Sequence, residues 1–104
     1  ALAPRPGEPV LRKTTYDAFL GTPLQALLEA EGATQVLIAG VLTHMCCETT
    51  ARAAFCRGFE VYVAADATAS HSEARHLGSL LGMADAVAVV MSVEEILERC
   101  RRAR

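Results

Sequence analysis

The sequence has no long apolar run, no C-x-x-C pair, no G-x-G-x-x-G, and no block of basic charge outside its last few residues. Each absence removes a class of function. Spanning a bilayer as a helix takes about 20 consecutive apolar residues, so no transmembrane segment and no membrane partner are expected. Four cysteines without paired spacing, and His44, His71 and His76 in no ligand pattern, argue against a structural zinc site. No glycine fingerprint follows any strand, which argues against a dinucleotide binder. Ten Lys+Arg against twelve Asp+Glu give a net charge of −2, with the basic residues dispersed apart from Arg99, Arg101, Arg102 and Arg104. Phosphate binding needs a concentrated basic face, so no nucleic-acid partner is expected. The Arg cluster reads as a solvated helix end, where cations suit the helix dipole. No secretory leader is recognisable, and Cys46, Cys47 and Cys56 share one expected helix, so a reduced, cytoplasmic compartment is expected.

What is present is a chain of 104 residues with 52% hydrophobic content, enough for a packed core in a single domain or part of one. Residues 1–9 hold three of the four prolines and read as an extended loop or linker. Val10 to Lys13 is a short strand candidate ending in a cation, and Thr14 to Gly21 a loop with Tyr16 and Phe19. At Thr22-Pro23-Leu24-Gln25 a Thr N-cap, a Pro at the first helical position and a Gln three residues after the cap predict a helix start, with Gly32 at its end. Val36 to Ala39 is apolar on both faces, as in a central parallel strand. The next helix is expected from about Cys46 to Arg57, with a strand over Val61 to Ala65 ending at Asp66. Ser70-His71-Ser72-Glu73 predicts a capping box and a helix to Gly82, Ala86 to Met91 a last strand, and Ser92-Val93-Glu94-Glu95 a last helix with Val93, Ile96, Leu97 and Cys100 on one stripe.

Alternation of strand and helix at this spacing predicts a parallel sheet with right-handed crossovers and helices on its faces. In such sheets, sites form at the carboxyl ends of the strands. Four segments reach that edge: Lys13, Val41 to Cys46, Asp66 to Ser70, and Met91-Ser92.

Within Gly40 to Gly58, two adjacent cysteines lie where a turn becomes a helix. A Cys there faces unpaired backbone N–H groups and the positive end of the macrodipole, which favour thiolate over thiol. A cysteine hydrolase needs such a thiolate, N–H donors aimed at the developing oxyanion, and a charge partner for the sulfur. Cys46 offers the first and part of the second, and Lys13 is a plausible cation. Cys47, Cys56 and Cys100 suit packing as small hydrophobes. His44 is open to reading as a base, although a turn His more often makes hydrogen bonds or contacts substrate. Tyr16 is a second substrate-contact candidate. Asp66 is suited to receive N–H groups of its own turn, and His71 and His76 to surface or capping roles.

Gly40-Val41-Leu42-Thr43-His44-Met45-Cys46, then Thr49-Thr50-Ala51, Gly58-Phe59-Glu60-Val61 and Asp66-Ala67-Thr68-Ala69, resemble the isochorismatase-like cysteine hydrolase superfamily, which includes nicotinamidases, N-carbamoylsarcosine amidases and ureidoacrylate amidases. Lys13-Thr14-Thr15-Tyr16-Asp17-Ala18-Phe19 with Gly21-Thr22 is similar to the segment carrying that family's catalytic Lys. The resemblance implies a three-layer α/β/α sandwich with a mostly parallel, Rossmann-like sheet, only part of it in this chain. It implies an Asp-Lys-Cys triad with Cys46 as nucleophile and Lys13 as its cation. It also implies a cis peptide at Val41-Leu42 that turns the Leu42 N–H toward the Cys46 N–H as an oxyanion hole.

By that likeness the chain corresponds to the C-terminal half of a single hydrolase domain, without the first strand and its triad Asp. Glu8 is the only acid before Lys13 and sits in the Pro-Gly loop. The early His/Asp cluster that binds metal in nicotinamidases is not in this sequence, so no cofactor is expected and any metal site lies outside it. His44 stands where many members have Asp or Asn, and Cys47 where many have Val.

The implied reaction is hydrolysis of a small amide or ureido-type C–N bond through a thioester. The alternatives are isochorismatase-type vinyl ether hydrolysis, which needs no nucleophilic Cys, and a non-catalytic binding or assembly module. The expected partners are a small-molecule substrate and either a second copy of the chain or the missing N-terminal segment, because a sheet short of strands exposes an edge.

Overall fold

The computed structural model describes residues 3–103. In chain order the elements are α1 (Leu24–Ala30), β1 (Gln35–Val41), a π-helical turn (Thr43–Cys47) that runs directly into α2 (Glu48–Cys56), β2 (Glu60–Ala69), α3 (Glu73–Ala86), β3 (Val89–Met91) and α4 (Val93–Arg102). The three strands form a parallel sheet in the order β1-β2-β3. Parallel neighbours require a crossover, and each is supplied by a helix.

Alternation along β2 decides the layers. Val61 and Val63 are buried against Ala51 and Ala54 of α2 and Leu80 and Met83 of α3. Tyr62 points to the opposite face, where Ile96, Arg99 and Cys100 of α4 line a groove with it and the Arg99 guanidinium lies 5.5 Å from its ring centre. Helices therefore cover both faces, giving an α/β/α arrangement. The two fully buried alanines of α2 leave no bulk between helix and sheet, so the helix that follows the π turn sits close to the strands. Phe19 and Phe59 stack at 6.1 Å, and Arg57 lies 4.6 Å over the Phe19 ring. Phe19 thereby pins the loop that follows Lys13 to the core.

The β1–β2 register breaks between Ile38 and Gly40: Ile38 pairs with Val63, but Gly40 pairs with Thr68. The extra β2 residues bulge at the carboxyl end of the sheet. Gly40 has φ +117°, a conformation that side chains rarely allow, so glycine suits this position just before the π turn.

Several sequence-based expectations give way to tertiary context. Val10 to Lys13 forms no strand; it is an irregular segment with no ladder partner. Thr22 Oγ1 accepts from the Leu24 N–H at 3.2 Å, as a cap at that position should, but the capping box with Gln25 does not form. The helix begins at Leu24 after Pro23, while the Thr22 hydroxyl donates to the Ala18 carbonyl at 2.6 Å and Gln25 accepts from Arg57 at 3.1 Å. Ser72, not Ser70, caps α3, because Ser70 is taken by His44, and the helix continues past Gly82 to Ala86. β2 runs on to Ala69 and β3 starts only at Val89. Val36 to Ala39, expected as a central strand, is the outer one of the three described strands, with Leu37 52% exposed. The α4 capping box forms at Ser92 and Glu95 as the sequence indicates. Ala1, Leu2 and Arg104, parts of the expected loop and Arg cluster, lie outside the described residues. Among those described, no helix is long and apolar enough to cross a membrane.

Candidate active site

The carboxyl end of β1 leads into the site through a cis peptide bond between Val41 and Leu42. Leu42 is extended, and its carbonyl accepts from the N–H of Met45 at 3.1 Å and of Cys47 at 3.2 Å. A bond reaching back five residues defines the wide π turn, a form that recurs at functional sites. Cys46 lies between those two donors and its N–H takes no part in the pair. Its side chain is half-buried.

Lys13 reaches the turn from the other end of the chain. Its Nζ donates to Cys46 Sγ at 3.1 Å and to the Thr15 carbonyl at 2.8 Å. The loop after Lys13 is held by hydrogen bonds with Thr50 and Asp17. Thr50 of α2 accepts from the Ala18 N–H at 3.0 Å and donates to the Tyr16 carbonyl at 3.2 Å, and Asp17 Oδ1 accepts from the Phe19 N–H at 2.8 Å. The loop bearing the cation is thus stitched to the helix that follows the thiol. Sulfur and ammonium are brought together without Val10 to Lys13 being a strand.

The two neighbouring thiols have different environments. Cys47 is 4% exposed, and burial raises its pKa, as does the charge of Cys46 beside it; Lys13 offsets part of this. Cys47 is therefore a protonated packing group near neutrality, while Cys56 and Cys100 are exposed.

His44 is not directed at Cys46 by any hydrogen bond. Its N–H and its Nδ1 lie 3.3 and 2.9 Å from Ser70 Oγ, and its ring centre is 4.9 Å from that of His71. Tyr16 is 54% exposed, tied only through its carbonyl. Asp66 accepts from the N–H of Val93, at 2.8 Å, rather than from its own turn, and so anchors the start of α4. Among the described residues no carboxylate bonds to Lys13 or Cys46. Nor do three His, Cys, Asp or Glu side chains group to hold a metal ion, so the residues here do not fit a metal centre.

A cavity of about 500 Å³ opens beside the pair, lined by Lys13, Phe19, Leu28, Ile38, Val41 and Cys46 among others. It runs along the edge of β1. The sequence placed Thr43 and Ser70 at this edge but did not point to Ser79, to the bond between Ser70 and His44, or to any tie between the π turn and His76. Thr43 is fully buried with its Oγ1 2.8 Å from His76 Nδ1. These contacts join residues 26 to 36 positions apart, and no local pattern signals them.

An assembly of thiol, cation and turn can support nucleophilic attack on a carbonyl, and the comparisons agree in kind. A family model described as the isochorismatase domain matches residues 1–95. Nicotinamidase 3 of Arabidopsis thaliana is 41% identical over 87 residues, which are 84% of this chain and 44% of that protein. Among solved structures, an isochorismatase-like hydrolase from Alkaliphilus metalliredigens superposes with a TM-score of 0.91 at 30% identity, covering 94% of this chain and 53% of its own. A cysteine hydrolase from Pseudomonas syringae pv. phaseolicola gives 0.95 at 28% identity over 99% of this chain and 54% of its own. The chain spans less than half the length of the curated relatives it matches.

Proposed function

This chain belongs to the isochorismatase domain family, and from that membership we propose that it carries the nucleophile of a hydrolase that cleaves a small amide or ureido-type C–N bond. Cys46 Sγ attacks the carbonyl carbon, and the negative charge moves to the carbonyl oxygen, held by the N–H groups of Leu42 and Cys46. Collapse of this adduct expels the amine, which takes up a proton, and leaves a thioester on Cys46. Water then attacks the thioester, releasing the carboxylic acid and returning the thiol. Lys13 Nζ donates to the sulfur at 3.1 Å, the observation that carries this reading. His44 and Tyr16 contact the substrate.

The proton that leaves Cys46 goes to an Asp that this sequence does not contain. We place that carboxylate on polypeptide pairing with the edge of β1, supplied by an N-terminal segment or a second copy of the chain. The exposure of Leu37 and Val41, 52% and 65%, and the cavity beside them support this placement. Ammonia release from a panel of small amides and ureido acids, nicotinamide among them, tests the reading. Cys46→Ser should abolish release while Cys47→Ser largely spares it. The opposite pattern, or turnover unaffected by Cys46→Ser, would overturn it; the latter would favour vinyl ether hydrolysis, which needs no thiol.

A further inference from the structure

The π turn has no side-chain cap at its start, and its wide hydrogen bonding is poor at holding a backbone by itself. Two side chains of α3 fasten it. Thr43 opens the turn: its Oγ1 lies 2.8 Å from His76 Nδ1, and its carbonyl accepts from Ser79 Oγ at 3.2 Å. The same Ser79 hydroxyl lies 2.7 Å from Oε1 of Glu48, the residue directly after the turn, and Glu48 Oε2 accepts from Arg52 at 3.0 Å. His76 and Ser79 are one helical turn apart and so share a face of α3. The single Ser79 proton is shared between the Thr43 carbonyl and the Glu48 carboxylate, and with His76 on Thr43 both ends of the segment holding Cys46 are tied to one rigid helix. Thr43 is fully buried and Ser79 is 6% exposed, so losing either bond leaves polar groups away from water.

We propose that His76, Ser79 and Glu48 are positioning residues that fix the π turn, and through it the direction of the Cys46 N–H and the placement of Sγ against Lys13. None of the three bonds to Cys46 or Lys13; they act through Thr43 and the backbone. The catalytic consequence rests on Cys46 being the nucleophile, whereas the fastening of the turn does not.

Two measurements separate these. The first is amide hydrogen exchange at Met45 and Cys47, whose N–H groups bond to the Leu42 carbonyl. Ser79→Ala and His76→Ala should each speed their exchange about tenfold, the loss of one buried hydrogen bond read as local opening. Ser79→Thr keeps the hydroxyl and His76→Asn keeps a polar atom near the Nδ1 position; both should restore protection. The second is iodoacetamide alkylation of Cys46 at neutral pH, located by peptide mass spectrometry, with the exposed Cys56 and Cys100 as internal references. It should slow by about tenfold or more in the alanine variants, as expected when a reacting group is misplaced, and recover in the conservative ones. Glu48→Ala, at a half-buried site, serves in place of any α3 variant that does not fold. Unchanged exchange in the alanine variants overturns the proposal, as does failure of the conservative variants to rescue. A sluggish Cys46 in the unmodified protein would instead remove the nucleophile reading, with exchange still deciding the fastening.

Discussion

Replacing Lys13 with methionine removes the ammonium 3.1 Å from Cys46 Sγ and keeps a side chain of similar length. Lys13 is exposed, so water screens the pair, and the aqueous limit of Coulomb's law is the appropriate scale. At that separation in bulk water the attraction between unit charges is about 1.3 kcal/mol, close to a factor of ten in a rate that depends on it. Alkylation of Cys46 at neutral pH and low salt should accordingly slow by roughly tenfold in Lys13→Met, while Cys56 and Cys100 label at unchanged rates. Lys13→Arg should retain much of the rate because it keeps the charge. Added salt should shrink the difference, since an exposed pair is screened within a Debye length of about 8 Å at physiological ionic strength. Cys46 reacting at the same rate in Lys13→Met as in the unmodified protein at low salt would refute the pairing of thiolate and cation.

Other perturbations test other parts of the structure. Cys47 has a raised pKa in the folded protein, so its contribution to stability is full below the ordinary thiol value of 9.0 and is lost as pH rises toward its higher folded value. Cys47→Ala should flatten that alkaline decline in melting temperature. Glu95 behaves oppositely: the Ser92 N–H bonded to its carboxylate lowers its pKa, so the stabilisation is present above the ordinary carboxylate range and fades as pH falls through the lowered value. Ser92→Ala removes the hydroxyl that accepts from the Glu95 N–H, leaving the Ser92 backbone N–H on the Glu95 carboxylate, and should cost about 1 kcal/mol by denaturant unfolding. Met83→Ala should cost about 2–5 kcal/mol in the same experiment, because Met83 is wholly buried between α3 and the sheet.

Local chemistry made much of this fold legible in the sequence. Ser92 and Glu95 form the box that their spacing indicates, because nothing else competes for either side chain. The strand expected over Val61 to Ala65 forms, and its alternation places Val61 and Val63 in the core because a strand offers one face to each layer. Cys46 at the turn and Lys13 at the chain start were visible as residue types, and the structure sets them 3.1 Å apart. Expectations failed where a distant partner outbid a local one. Ser70 matches a cap pattern but is held by His44, and Gln25, the expected partner of Thr22 in a capping box, accepts from Arg57 instead. Asp66 serves α4, 27 residues away, instead of its own turn. Val10 to Lys13 forms no strand: only Val10 is a strong strand former, and no described strand lies beside the segment to pair with it. The fastening of the π turn by His76 and Ser79 depends on how α3 packs, which no spacing in the chain encodes.

The nucleophile assignment is tested most directly by rapid acid quench of the protein during turnover of a small amide, followed by peptide mass spectrometry. An acyl group should be found on Cys46, on no other cysteine, and in no Cys46→Ala sample. Turnover that continues in Cys46→Ala without any adduct, or an acyl group carried by Cys47, would contradict it.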